Sequence, residues 1–317
     1  WLESYGAVQA DPAVVQGKDY GAAVRAVADA LEEVRPARIL EERHEQVKRE
    51  LDGKNGAPLH MGMGFARVER QLLGEAFHTV GLELDAMRLG PLEQPWMELA
   101  EKGVLPCPEP EEEPLSYQTG RAWEAALEKS IQSGGSDHWY GHYQLGVMYA
   151  ARGEDGPAAE EFGRSLDCAR NPWALRCLAL LEDRAGAPDT AADLLCEAVE
   201  RKPIRPLAVE ALELLSRTEQ YQRMYELMNG MPEEVRAQGR VRTFEIQALI
   251  RTDRYEEAED LLMGDIVLTD GREGDVLLTD LWFELMARKE RGSADAEAIA
   301  WAHEHMEPPE HLDFRMN

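Results

Sequence analysis

The chain is predicted to be all-α: a tetratricopeptide-like, right-handed solenoid of helical hairpins preceded by an irregular helical segment. Three observations predict it. Ala158, Ala191, Met224 and Ala258 stand 33, 33 and 34 residues apart, and a tetratricopeptide unit is about 34 residues long. Large apolar residues keep the same register around those positions. The chain also has 317 residues, more than the roughly 50–250 of one ordinary domain, which suits an elongated array or two domains.

The first unit places Leu145-Gly146 and Tyr149 on its first helix, Gly153 at the turn, and Ala158, Phe162 and Ser165 facing inward from its second. In the second, Leu178-Ala179 takes the Leu-Gly place, Gly186 marks the turn, Ala191, Leu195 and Ala198 follow, and Pro203 ends the unit. The third runs from Ala208 to Met231 with Tyr221 before its second helix; the fourth runs from Val241 to Leu262 with Asp253 at its turn and Tyr255 before Ala258. Two helices pack closely where a small residue faces a small residue. One hairpin cannot bury its own apolar face, so neighbours must stack. Residues 263–274, rich in Gly and Asp, read as a loop. Helices over Leu277–Arg291 and Ala294–His305 cap the array. Pro308-Pro309 stops the helix, and alternation of Leu312, Phe314 and Met316 predicts an extended, docked tail.

Residues 1–115 form the irregular helical docking region and 116–317 the array. Asp19 is placed to cap a helix through Val34, Pro36 opens a second to about Leu51, and 52–56 is a turn. A Gly-rich connector, 60–65, precedes a short helix with Arg67, Glu69 and Arg70, and Pro91–Trp96 opens another. Pro106–Pro114, with Glu111-Glu112-Glu113, is an acidic, Pro-rich linker. Tyr117–Ser133 is a helix capping the stack from its N-terminal side.

The formal charge is −27, from 61 acidic and 34 basic residues. A surface of that sign repels phosphate backbones and anionic lipid, which argues against nucleic-acid and membrane partners; it also keeps an extended array soluble. No stretch approaches the roughly 20 apolar residues of a membrane span. The chain opens Trp1-Leu2-Glu3 without initiator Met, basic n-region or signal-peptide core, so it reads as cut from something longer and its start fixes no location; a cytoplasmic setting is favoured. Cys107, Cys168, Cys177 and Cys196 form no C-x-x-C pair; free thiols are expected, with no disulfide framework and no metal site. His303, His305 and His311 lack the i, i+4 spacing of a metal-binding helix. There is no phosphate-binding loop, dinucleotide fingerprint or nucleophile elbow, so no cofactor is expected.

Two segments offer chemistry. His138, Trp139, Tyr140, His142 and Tyr143 open the first repeat. Their rings either stack on a sugar, with polar tips to hydrogen-bond it, or pack between hairpins. The Gly62–Glu69 segment either brings backbone close to a ligand with Glu69 as acid or base, or is a linker with Glu69 on a solvated face. Glycoside hydrolysis needs two carboxylates, and no second one can be chosen.

The strings Trp1-Leu2-Glu3-Ser4-Tyr5-Gly6, Gly62-Met63-Gly64-Phe65-Ala66-Arg67-Val68-Glu69, Gly90-Pro91-Leu92-Glu93-Gln94-Pro95-Trp96, His138-Trp139-Tyr140, Asn171-Pro172-Trp173-Ala174-Leu175-Arg176 and Pro308 through Met316 carry a resemblance. The chain resembles the C-terminal half of a bacterial family that pairs an N-terminal β-sandwich domain of unknown function with tetratricopeptide repeats. Members sit among carbohydrate-utilisation proteins, and some carry glycoside-hydrolase-like labels. The resemblance implies an interaction scaffold whose first partner is that β-sandwich domain, in the same chain or another. The alternative it implies is a helical wall of a carbohydrate site completed by the sandwich, with Glu69, His138, Trp139, Tyr140 and Trp173 as ligand-binding residues. The Gly62–Glu69 connector and the His138–Tyr143 helix start would then face the sandwich. Burial of Trp96, Trp139 and Trp173 would remove the platform such a wall needs.

Overall fold

The computed structural model describes residues 63–74, 89–264, 266 and 276–312. Met63 apart, these belong to one unit that begins at Gly64. The helices expected over 19–34 and 36–51 and the turn at 52–56 lie outside the described residues. Among the described residues there are fourteen α-helices, one 3-10 turn and no strand, so the all-α expectation holds. No helix of this set is long and apolar enough to cross a membrane.

Among the described residues, three helices precede the hairpins: α1 (Met63–Leu73), α2 (Gln94–Lys102) and α3 (Arg121–Gln132). The first hairpin is α4 (Trp139–Ala150) with α5 (Asp155–Cys168), the second α6 (Pro172–Arg184) with α7 (Pro188–Arg201), and the third α8 (Arg205–Arg217) with α9 (Tyr221–Gly230). A single turn, α10 (Glu233–Arg236), precedes the fourth hairpin, α11 (Gly239–Arg251) with α12 (Tyr255–Leu262); α13 (Leu277–Arg291) and α14 (Ala296–His305) close the series. Each helix packs on its hairpin partner, and α5, α7, α9 and α12 each pack on the first helix of the next hairpin. This is the nearest-neighbour packing of a helical repeat.

The register residues lie where the two helices of a hairpin meet. Ala158, Ala191, Met224 and Ala258 have no exposed surface. A Cβ on Gly146 would fall 2.6 Å from the Phe162 ring, so the Leu-Gly position is a true close approach. The turns repeat as well. Gly153, Gly186, Glu219 and Asp253 all adopt positive φ, at 74°, 81°, 56° and 60°. In each turn the left-handed residue's N–H bonds back three residues and the next N–H bonds back five. That is the Schellman arrangement, which satisfies carbonyls at the helix end.

Starts are marked by caps. Asn171 Oδ1 accepts from Ala174 N (2.8 Å) ahead of Pro172, and Asp295 accepts from the N–H groups of Glu297 and Ala298; both are favoured helix-start chemistry. Asp295 therefore moves the start of α14 two residues past the expected Ala294. Residues 117–120 are extended rather than helical, and α3 begins at Arg121. The tail turns into a 3-10 segment, Glu310–Leu312, instead of an extended strip. Its Leu312 is fully buried and His311 Nε2 bonds the Leu262 carbonyl at 2.8 Å. Phe314 and Met316 lie outside the described residues.

Two apolar cores run through the unit. One gathers residues from Val68 to Ala248, the other residues from Ile246 to Leu312. Helix α11 contributes to both: Val241 and Ala248 to the first, Ile246, Leu249 and Ile250 to the second. Helices α2, α3 and α4 pack in succession, and Leu105, between α2 and α3, is fully buried in the first core. The boundary expected near residue 115 is thus not a packing boundary.

Candidate functional site

Helix α4 is apolar all round, and nine of its twelve residues are buried. Such a helix must be covered on every side. Helices α3 and α5 cover two sides. The non-helical segment 103–117 covers another, and side chains of α4 and its cap hold its backbone. His138 Nε2 donates to the Leu105 carbonyl (2.9 Å), Trp139 Nε1 donates to the Pro108 carbonyl (2.9 Å), and Gln144 Nε2 donates to the Ser116 carbonyl (3.0 Å). The hydroxyls of Tyr117 and Tyr143 bond at 3.2 Å. The acidic, Pro-rich stretch expected as a linker is therefore an intrachain strap across the first hairpin.

These bonds assign roles to the candidate residues. His138 caps α4: its Nδ1 accepts from Gly141 N at 3.2 Å while Nε2 donates to Leu105. With one nitrogen accepting and the other donating, the ring is neutral. Burial lowers its pKa. Trp139 and Tyr140 are buried, their rings 5.2 Å apart, with Tyr143 stacked behind Tyr140. Burial pushes the Tyr140 phenol up to about 12, and its oxygen accepts from Gln144 Nε2. Trp173 is buried in the same core, and its Nε1 has no hydrogen-bond partner among the described residues. Trp96 has no exposed surface, meets Trp123 edge-on and donates to Ser116 Oγ. Trp96, Trp139 and Trp173 are thus all packing residues, and no open stacking platform is formed by them.

Glu69 stands half-buried on α1, and the structure does not bring it to the aromatic cluster by any hydrogen bond. The close approach in its Gly-rich segment is internal. A Cβ on Gly64 would fall 2.7 Å from Glu93 Oε1, and Glu93 is a buried carboxylate whose other oxygen accepts from Gly90 N.

The C-terminal histidines are also engaged singly. The His303 ring lies tilted against Phe283, His305 Nδ1 bonds the Trp301 carbonyl, and His311 anchors the 3-10 turn to α12.

Away from the strap, α4 carries an arrangement not anticipated as a unit. His142 Nδ1 lies 2.6 Å from Glu161 Oε2 on α5, and its Nε2 lies 2.9 Å from Asp137 Oδ1. His142 and Glu161 are buried; Asp137 is exposed. Glu161 is held in turn by Arg164. The Glu161 hydrogen bond, ahead of opposing burial, raises the imidazole pKa. Cys168, the last residue of α5, is exposed, and partial desolvation of its sulfur, with the nearby Asp137 and Asp167 carboxylates, raises its thiol pKa. The available signal was the turn: Asp137 stands sixteen residues before Gly153 and Cys168 fifteen after it, so folding the hairpin over brings them together.

The fold defines a helical-repeat protein with a strapped first hairpin. No known family model matches the chain, and no curated protein matches it.

Proposed function

We propose that this chain is a protein-interaction module of the tetratricopeptide type, working as the helical half of a larger protein. What supports the tetratricopeptide reading is the conjunction of the 33-33-34 period with buried small residues and the four equivalent left-handed turns. The observation that carries the interaction reading is the strap. Donor side chains on the first helix of a hairpin and on its cap hold a non-helical backbone through its carbonyls, a mode that reads little sequence and suits a scaffold. The net charge of −27 favours a protein partner over a polyanion. Burial of the three indoles leaves the sugar-wall alternative without a platform.

The partner implied by the family resemblance is a β-sandwich domain. Leu92 and Leu115 are exposed, and the Ser116 Oγ bond to the Leu92 carbonyl ties their two backbone segments together; they are the apolar residues to perturb. Mixing this chain with a separately expressed sandwich domain should give a stoichiometric complex by light scattering. The double variant Leu92→Asp, Leu115→Asp should weaken it about tenfold or more, roughly 1.4 kcal/mol. Absence of a complex, or a complex indifferent to the double variant, would overturn the proposal.

A further inference from the structure

We propose that Asp137, His142 and Cys168 form a binding site for a divalent transition-metal ion, with zinc as the fitting species. The Asp137 carboxylate, a ring nitrogen of His142 and the Cys168 sulfur all lie within 4.8 Å of one another, and they are the only such grouping among the described residues. Zinc bonds of about 2.0–2.3 Å in a tetrahedral array place neighbouring ligand atoms roughly 3.3–3.8 Å apart. Modest rotations of two exposed side chains, Asp137 and Cys168, close that difference. A mixed thiolate, imidazole and carboxylate set suits zinc and disfavours calcium and magnesium, which take oxygen ligands.

The surroundings are those of a ligand sphere. Only Nε2 of His142 is available to a cation, because Nδ1 is committed to the buried Glu161 carboxylate at 2.6 Å. A carboxylate on the far nitrogen of a ligating histidine fixes the tautomer and raises the ligand's basicity. The metal would replace the proton that Nε2 now shares with Asp137. The frame is rigid. Ser165 Oγ donates to the Trp139 carbonyl (2.7 Å), and Asn171, the cap of α6, donates to Ser165 Oγ (3.1 Å). These bonds pin the end of α5 to the start of α4, where the three ligands meet. With three protein ligands and two of them at the surface, the fourth position opens to solvent, the pattern of an exchangeable site rather than a closed structural one.

The test uses the full chain, treated with chelator and titrated with Co2+ and then Zn2+. One equivalent of Co2+ is expected to give visible bands of a four-coordinate ion and a thiolate-to-cobalt charge-transfer band, both removed by Zn2+. The charge-transfer band distinguishes this site from weak binding by the many surface carboxylates. Cys168→Ser should abolish it, Asp137→Asn should weaken Zn2+ binding at least tenfold, and Cys107→Ser should change neither. Both ligand variants alter exposed side chains, so helical content should be unchanged. No stoichiometric uptake, a charge-transfer band that survives Cys168→Ser, Zn2+ affinity unchanged by Asp137→Asn, or a band lost in Cys107→Ser would each overturn the proposal.

Discussion

At the residue scale, two buried indoles make opposite uses of the same N–H. Trp139 Nε1 donates to the Pro108 carbonyl, whereas Trp173 Nε1 is buried without an acceptor among the described residues. A buried donor left unpaired loses its hydration for nothing, and a paired one contributes about 1 kcal/mol net. Trp139→Phe should therefore lower stability more than Trp173→Phe, by about 1 kcal/mol in denaturant midpoints at equal slope; equal losses would mean that the strap bond contributes nothing. His138 supplies the pH-dependent case. Its folded-state pKa is depressed by burial, and protonating Nδ1 would remove the acceptor that caps α4. The unfolded chain takes up that proton near the ordinary histidine value and the native chain resists it, so this contribution is present above about pH 6.5 and lost as pH falls. His138→Asn keeps a capping acceptor but does not titrate. The stability of the native protein relative to this variant should fall between about pH 7 and pH 5. His142 shifts the opposite way, and its charge adds to the depression of His138. A flat difference across that range would contradict the cap assignment.

At the scale of elements, the four hairpin turns are one design carried by different residues. Left-handed φ suits glycine at Gly153 and Gly186, but Glu219 holds it at 56°. That conformation costs a side chain with a Cβ about 1–2 kcal/mol. Glu219→Gly should raise stability by about 1 kcal/mol after the extra unfolded-chain entropy of glycine is subtracted. Gly186→Ala should lower it by a similar amount, both read from thermal or denaturant midpoints. The hairpins were legible from the sequence because their constraints fall on residue type: Gly146 under a Phe162 ring, Ala158 and Ala191 at closest approach, Gly or Asp at the turns. The strap was not legible. Three of the bonds that hold residues 103–117 go to backbone carbonyls, and every residue type carries a carbonyl. The His142 cluster escaped for another reason. Its partners are 5, 19 and 26 residues away, and no helix or strand period joins them until α5 folds back on α4. The aromatic run at 139–143 was ambiguous from the start, since a ring that packs and a ring that stacks on a ligand have the same composition; burial decided for packing.

At the scale of the whole described unit, α11 belongs to two cores, which divides stability along the chain. Leu285 has no exposed surface and lies in the second core. Leu285→Ala should cost about 2–5 kcal/mol, and the loss should appear first in the second core. Hydrogen exchange should accelerate in α13 and α14 before it changes in α4 to α7. Uniform acceleration would mean that the two cores open as one. Between hairpins, partners lie about one repeat apart: Arg176 with Glu210 at 2.6 Å, Asp183 with Arg217 at 2.7 Å, and Arg251 with Glu284. Half-exposed ion pairs of this kind add little stability, about 0–1 kcal/mol each, but opposite charges must meet for even that to be gained. The hairpins are therefore not interchangeable. If the third were excised, the position one repeat beyond Glu210 would bring Phe244 against Arg176. Duplication and loss, the usual traffic of repeat proteins, would leave visible mismatches here, so each hairpin in effect carries an address that names its neighbour.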